Sequence, residues 1–360
     1  MSEVYKEIAF KELELSDSKW IRELLSYADL NSEDYNFTYQ FLWRKTFKTA
    51  VARYGDWLLV RFNFNGSHSY LFPAGRGESS ELKALIESLI AGAAADGGGE
   101  LAFYGVLEHQ LKWLEERFAG RFTAEPFRMG WDYLYSAESL LTLKGKKYQS
   151  KRNFANGFRK SNIWAFEPIT KENIAECYAM NDEWCRRNGC GKEFWKENEF
   201  CAVREALANY FELGLQGGLL RVFEQGGTEA EAGIEATQRG RVVAFTIGEL
   251  TNSDTLLVHI EKAFTDIRGA YQTISQEFLS YMNKLLLAAA LNNDTLRDNQ
   301  DASSVTYAND GADGANEAEA LSFRYVNRED DSGDENLRKA KMEYHPLRLI
   351  EKSIVTFQLR

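Results

Sequence analysis

The sequence predicts a mixed α/β (α+β) chain built from two tandem copies of one unit. First, the order helix, β-hairpin, helix, strand, helix, strand is readable twice along its 360 residues, as a repeated fold requires. Second, apolar spacing switches repeatedly between the helical three-and-four and the strand two. Third, 44% of residues are hydrophobic, and 8 Trp, 17 Tyr and 23 Phe supply bulky core material. That composition excludes disorder of the whole chain. No residue-level identity links the halves, so the repeat rests on pattern. The expected units are 1–140 and 141–360.

In the first unit, Trp20, Ile21, Leu24 and Leu25 share one face of a helix behind the cap candidates Ser16 and Asp17. Strands at Trp57–Phe64 and Ser69–Phe72 are joined across Asn65-Gly66, a pair that tolerates the positive φ of a tight hairpin. A helix follows with Leu82, Leu85, Ile86, Leu89 and Ile90 on one stripe, stopped by Gly97-Gly98-Gly99. A strand (Leu101–Tyr104), a helix (Val106–Phe118) and a strand (Arg128–Tyr135) complete the unit.

The second unit has helices at Lys171–Arg186 and Lys192–Leu213, then strands at Leu219–Phe223, Arg241–Leu250 and Thr255–Lys262. After Gly269 a helix presents Tyr271, Ile274, Phe278, Tyr281 and Leu285 on one stripe. A strand (Phe323–Asn327), a helix (Glu335–Tyr344) ended by Pro346, and a strand (Ser353–Leu359) close the chain. Two stretches read as inserted, mobile surface excursions without chemistry: Glu224–Gln238, and Asn283–Ala320 with its Ala, Asn and Asp.

The formal charge is −11, so non-specific DNA coating is excluded and any polyanion must meet a local basic patch. Cys177, Cys185, Cys190 and Cys201 show no C-x-x-C pair or metal spacing and read as buried, reduced thiols. The N-terminus lacks a signal peptide's apolar core, and the longest apolar run, Leu285–Leu291, is too short to cross a bilayer. A cytoplasmic protein without a transmembrane segment or metal is expected.

Four constellations are candidates for chemistry. Lys144, Lys146, Lys147, Lys151, Arg152, Arg159 and Lys160 fall in seventeen residues containing no acid. If the segment is helical from Tyr148, Lys147, Lys151 and Arg152 lie near one face, suited to phosphate, carboxylate or RNA; a solvated helix is the plain alternative. The turn Phe264–Ala270 joins a strand to a helix, where Gly269 permits close approach and the helix start offers N–H groups to an anion, with Arg268 adding charge. On the strand Thr255–Lys262, alternation puts His259 and Glu261 on one face, within reach of Glu249. Such a trio is a candidate base for deprotonating a nucleophile, or a satisfied His–Glu bond in a sheet. Finally, Glu329, Asp330 and Asp331 precede Ser332 and Glu335, which have capping-box spacing, so these acids have a helix-start explanation.

Several motifs resemble one bacterial family: Trp131-Asp132-Tyr133-Leu134-Tyr135, Leu143-Lys144-Gly145-Lys146-Lys147, Lys151-Arg152-Asn153, Ile260-Glu261-Lys262-Ala263, Gly269-Ala270-Tyr271-Gln272, Asn327-Arg328-Glu329-Asp330-Asp331, Leu337-Arg338-Lys339-Ala340-Lys341 and Tyr344-His345-Pro346. The set is similar to the C-terminal domain of phosphatidylglycerol lysyltransferase, whose relatives include the Fem aminoacyltransferases. The resemblance implies two tandem GNAT-like acyltransferase domains, each a mixed, mostly antiparallel sheet flanked by helices. It implies transfer of an acyl or aminoacyl group, from acyl-CoA or aminoacyl-tRNA, to an amine or hydroxyl acceptor that is a small molecule, lipid or peptide. The alternative is a non-catalytic module of the same shape that binds an anionic or nucleotide ligand. In that superfamily two central strands splay around the donor, here expected to be Arg241–Leu250 and Thr255–Lys262. Ile267, Arg268, Gly269, Ala270 and Tyr271 would bind donor phosphate. Lys147, Lys151, Arg152 and Asn153, with Asn327 and Arg328, would hold an anionic acceptor or RNA end. Glu261, His259 or Glu249 would serve as base. Coenzyme A is a candidate cosubstrate, although Arg268-Gly269-Ala270-Tyr271 departs from the superfamily's Q/R-x-x-G-x-G/A turn and leaves aminoacyl-tRNA as its rival.

Overall fold

The computed structural model describes residues 8–64, 67–95, 99–189, 194–223, 240–295 and 321–359. In chain order the elements are β1 (Lys11–Glu12), α1 (Ser18–Ser26), α2 (Phe37–Phe47), β2 (Ala50–Tyr54), β3 (Trp57–Phe64), β4 (Ser67–Leu71), β5 (Ala74–Gly75), α3 (Ser79–Ala95), β6 (Glu100–Leu107), α4 (Glu108–Phe118) and β7 (Phe122–Pro126). They continue with β8 (Asp132–Ser136), α5 (Ala137–Thr142), α6 (Gln149–Ser161), β9 (Ile163–Pro168), α7 (Ile174–Asn188), α8 (Phe194–Ala208), β10 (Gln216–Phe223), β11 (Arg241–Leu250) and β12 (Thr255–Ala263). The last are α9 (Ala270–Thr295), β13 (Tyr325–Asn327), α10 (Glu335–Met342), β14 (Arg348–Ile350) and β15 (Lys352–Gln358).

Two mixed sheets result. The first runs β1-β2-β3-β4-β6-β15-β7 with β5 beside β3, and the second runs β14-β8-β13-β12-β11-β10-β9. Only β4–β6 and β12–β13 pair in parallel. The sheets exchange chain at their edges: β8 belongs to the second sheet, while the final strand β15 returns to the first and pairs with β6 and β7. No single cut near residue 140 therefore separates them.

The predicted stripe of α3 is buried except for half-buried Ile90, whereas in α9 only Ile274 and Phe278 of the predicted stripe are buried and Tyr271, Tyr281 and Leu285 are half-buried. Leu82, Leu85, Ile86 and Leu89 of α3 pack with Leu101, Phe103 and Phe357 in one core, and Phe278, Leu279 and Met282 of α9 pack with Tyr133, Tyr135 and Val258 in another. Each fully buried large apolar side chain contributes about 1.5–3 kcal/mol. A third core joins the sheets through Ile21, Leu24, Phe37 and Phe41 on one side and Leu219, Phe245 and Ile247 on the other.

Several expectations are corrected. The stretch from Asn283 is not irregular at its start, because α9 continues to Thr295 and buries Asn283, whose side-chain oxygen accepts from Ser322 N at 2.8 Å. Residues 296–320 and 224–238 lie outside the described residues, as do Asn65-Gly66 and Gly97-Gly98, although β3 and β4 pair as a hairpin. Val106 and Leu107 finish a strand before α4 begins. Helix α10 is capped by Asp334, which accepts from Asn336 N and Leu337 N, and not by Ser332. Cys177 is buried, but Cys201 is exposed and Cys185 is disulfide-bonded, so the thiols are not uniformly buried and reduced.

Candidate active site

The central strands set the geometry. β12 stays paired with β11 from Leu256, opposite Leu250, to Ala263, opposite Ala244, so these are not the strands that part. Ile247 faces Ile260 and Gly248 faces Val258, which leaves His259 as the extra residue of a bulge. The parting strands are β12 and β13, parallel only where Thr255–Leu257 meets Tyr325–Asn327. β13 ends because the Asn327 side chain turns the chain. Its Nδ2 donates to Asn31 O and Asp132 Oδ2, while its Oδ1 accepts from Glu329 N at 2.7 Å. Glu329 then adopts a left-handed φ of 57°. Buried Asn327 is therefore a turn-former rather than an anion contact.

Arg328 leaves this turn and fills the gap. Its Nη2 donates to Glu261 Oε1 at 2.6 Å and to the Tyr271 hydroxyl at 2.9 Å. The rings of Tyr344, Tyr271 and Tyr135 surround the guanidinium at 5.0, 5.5 and 5.9 Å from their centroids. Burial pushes the Glu261 carboxyl up, opposed by Arg328 and by hydrogen bonds from Tyr271 and Ser275. Arg328 thus serves Glu261 before any external anion.

His259 and Glu249 do meet. The imidazole Nε2 lies 3.2 Å from Glu249 Oε1 and its Nδ1 lies 2.8 Å from Glu329 Oε1. Arg22 donates to the other Glu249 oxygen at 2.8 Å. Burial favours a neutral ring, but the two carboxylates overcome it and raise the His259 pKa to about 9. Burial likewise opposes ionisation of Glu249, yet His259 and Arg22 hold its pKa down at about 2. A protonated ring with both N–H groups committed accepts no proton, so the expected base role fails for His259 and Glu249. Glu261 is the member of the trio whose carboxyl is held above its ordinary range, chiefly by burial.

The turn before α9 also differs from expectation. Gly269 has φ +88°, and a Cβ built there would sit 2.2 Å from Phe154 O. Its glycine is required by the approach of the α6 backbone, not by a pyrophosphate. Buried Ala270 donates its N–H to Ile267 O at 3.1 Å, so that group is already satisfied. Arg268 is exposed and stacks on Phe154, 4.7 Å from its centroid.

Helix α6 forms as the basic segment predicts, but its charges divide. Lys151 pairs with Glu343 at 2.7 Å, Arg152 donates to Leu143 O at the end of α5, and Arg159 pairs with Glu277 at 2.8 Å. Glu343 and Glu277 come from distant sequence, which a local charge count does not see, whereas the Leu143 carbonyl lies only nine residues before Arg152. Lys146, Lys147 and Arg268 make no ion pair among the described residues. They line an open groove of about 820 Å³ with Ser150 and Asn153. An adjoining recess of about 270 Å³ shares Phe154, Ile267 and Arg268 with it and reaches Tyr271 and Gln272. Ser150, which lines the groove, was not singled out in the sequence; Tyr344 entered only within a family motif, and Glu329 only in the acidic run before α10. Lys146 lay in the noted basic run, but no local signal marked Glu329 as the partner of His259.

Residues 27–356 match the family described as phosphatidylglycerol lysyltransferase, C-terminal. The chain belongs to that family. It is similar to a conserved protein of unknown function from Bacteroides thetaiotaomicron, with 31% identity, a TM-score of 0.78, and coverage of 98% of this chain and 100% of that one. At fold level it is similar to L-PGS from Bacillus licheniformis (12% identity, TM-score 0.57, 99% of this chain and 95% of that one). It is likewise similar to FemX (10% identity, TM-score 0.55, 97% of both chains). No curated protein matches the sequence. The two mixed sheets with their helices are the expected tandem GNAT-like fold, and family and fold fit an acyltransferase. Among the described residues, no group of three or more His, Cys, Asp or Glu side chains is arranged to hold a metal ion, and no helix is long and apolar enough to cross a membrane.

Proposed function

We propose that this lysyltransferase-family chain moves an aminoacyl group from aminoacyl-tRNA to an amine or hydroxyl acceptor in the cytoplasm. The observation that carries the reading is the continuity between the basic groove at Lys146, Lys147 and Arg268 and the recess at Tyr271. Tyr271 in turn touches the Arg328–Glu261 pair. A polyanion has exposed, unpaired cations to lie on, and the ester at its end is directed toward a buried carboxyl of raised pKa. In the transfer, a lone pair of the acceptor nitrogen or oxygen bonds to the acyl carbon. The ester bond to the terminal ribose breaks, its electrons go to the ribose oxygen, and the acceptor's proton reaches that oxygen by way of Glu261. The family's description as a lysyltransferase supports an aminoacyl group, and the satisfied Ala270 N–H weighs against coenzyme A at this turn. The buried acid–base pair weighs against a module that only binds, which needs no titratable group at its ligand.

The test supplies tRNA charged with labelled amino acids, together with amine and hydroxyl acceptors including phosphatidylglycerol vesicles; labelled acyl-CoA is run in parallel. Label should leave tRNA for an acceptor, and Glu261→Gln should abolish the transfer. Transfer from acyl-CoA alone, or from neither donor, overturns the reading.

A further inference from the structure

Beside the end of β13 lie two buried polar atoms that have no well-formed hydrogen bond among the described residues. Arg328 Nη1 and the Tyr344 hydroxyl are both buried, and neither has a hydrogen-bond partner among the described residues. Their neighbours are fully engaged. The other terminal nitrogen of Arg328 serves Glu261 and Tyr271, and Lys341 Nζ donates to the Arg328 carbonyl at 2.6 Å. Buried donors are ordinarily paired, so two orphans this close together call for an explanation. Burial pushes the Tyr344 hydroxyl up to about 12, which keeps its proton in place as a donor. Arg328 is cationic at every accessible pH. Two donors without an acceptor therefore lie side by side, the guanidinium 5.0 Å from the Tyr344 ring centroid. Gln272, which lines the recess beside Tyr271, and Arg328 both face the Tyr344 hydroxyl oxygen and partly offset the effect of burial on it, while its O–H is left without an acceptor.

We infer that Arg328 Nη1 and the Tyr344 hydroxyl form a subsite for the carbonyl oxygen of the transferred acyl group, and that they hold that oxygen when it becomes an oxyanion. The inference rests on the acyl-transfer reading and deepens it. As the acceptor's lone pair bonds to the acyl carbon, the carbonyl π pair moves onto the oxygen, which then accepts from both donors. When that pair returns, the bond to the donor ribose breaks. Prearranged donors at a buried position stabilise such charge strongly, since they need not reorient as it develops. Surrounding tyrosine rings exclude the water that would otherwise compete.

Tyr344→Phe removes one orphan atom and keeps the ring, so it should fold with an unchanged melting temperature. Arg328→Lys keeps a cation for Glu261 and loses the second nitrogen; it is the companion variant should Tyr344→Phe fail to fold. Single-turnover transfer from charged tRNA should slow about a hundredfold in Tyr344→Phe, while the apparent affinity for charged tRNA stays within about threefold. Equal rates in variant and wild type overturn the subsite and leave the acyl-transfer reading standing. If wild type transfers nothing, that reading falls, and the subsite is judged by calorimetry with the amide of an amino acid and 3′-amino-3′-deoxyadenosine. Weaker binding to Tyr344→Phe than to wild type then supports a carbonyl subsite, and equal binding overturns it.

Discussion

The groove beside α6 and the seam between the two sheets handle charge in opposite ways. At the groove, Lys146, Lys147 and Arg268 stand in solvent with no ion pair among the described residues, since the one acid of the lining, Asp266, pairs with Arg187. At the seam, Lys352 is 1% exposed and lies 3.3 Å from Glu33 and 2.7 Å from Asp34, and it also pairs with Asp132. Nearby, protonated His259 is clamped between Glu249 and Glu329. Exposed unpaired cations cost the fold little and remain available to a ligand. Buried paired ones hold strands together and become costly only when a partner is lost. The basic segment thus divides by tertiary surroundings: Lys151 and Arg159 were drawn into ion pairs, and Lys146 and Lys147 were left for something outside the chain.

The sharpest way to break this contrast is Lys352→Met. It strands Glu33, Asp34 and Asp132 around an apolar side chain, and unfolding free energy should fall by about 3–5 kcal/mol in urea titrations. A loss under about 1 kcal/mol would mean that the seam is not held by charge.

His259 gives the next effect, through pH. Its folded pKa of about 9 lies above the ordinary 6.5, so its contribution is complete below about pH 6.5 and is lost as pH rises through about 9. The groups facing it are Glu249, backed by Arg22 and Asn36, and Glu329. Stability should decline by an amount on the order of 3 kcal/mol between these limits. The depressed Glu249 pKa reports the same pairing and matters only as pH falls from about 4.5 through about 2. In His259→Gln the decline between pH 6.5 and 9 should vanish; a wild-type curve that is already flat there would refute the clamp.

Gly269→Ala should cost about 1–3 kcal/mol, because the new Cβ meets Phe154 O and the φ of +88° suits only glycine. Unchanged thermal stability would show that α6 yields easily at this point.

The smallest effect on folding belongs to the groove. Replacing Lys146 and Lys147 together with Gln should alter stability by less than about 0.5 kcal/mol, yet weaken charged tRNA by roughly tenfold at low salt, less as salt rises. Lys151→Gln should show the reverse: a loss of up to about 1 kcal/mol in stability with tRNA affinity unchanged. Should Lys151→Gln instead cut affinity while stability holds, the division of the helix is misassigned.

Much of the fold was legible in the sequence, because periodicity and turn chemistry are local. The α3 stripe Leu82, Leu85, Ile86 and Leu89, the helix after Gly269, and the run from Arg241 to Lys262 all form where apolar spacing puts them. Proximity of Glu249 to His259 was also readable, since adjacent strands joined by a short turn must pair. Tertiary structure alone decided what those residues are. Protonation of His259 depends on Glu329, seventy positions away, and the Arg328–Glu261 pair depends on where β13 stops. Likewise Gly269 resembles a phosphate turn in sequence, and only the packed α6 shows that its missing side chain makes room for backbone. Local pattern fixes which face of an element is apolar. The charge state and partner of a buried polar group are set by desolvation and by whichever distant groups the fold brings within about 3 Å, a distance no spacing along the chain encodes.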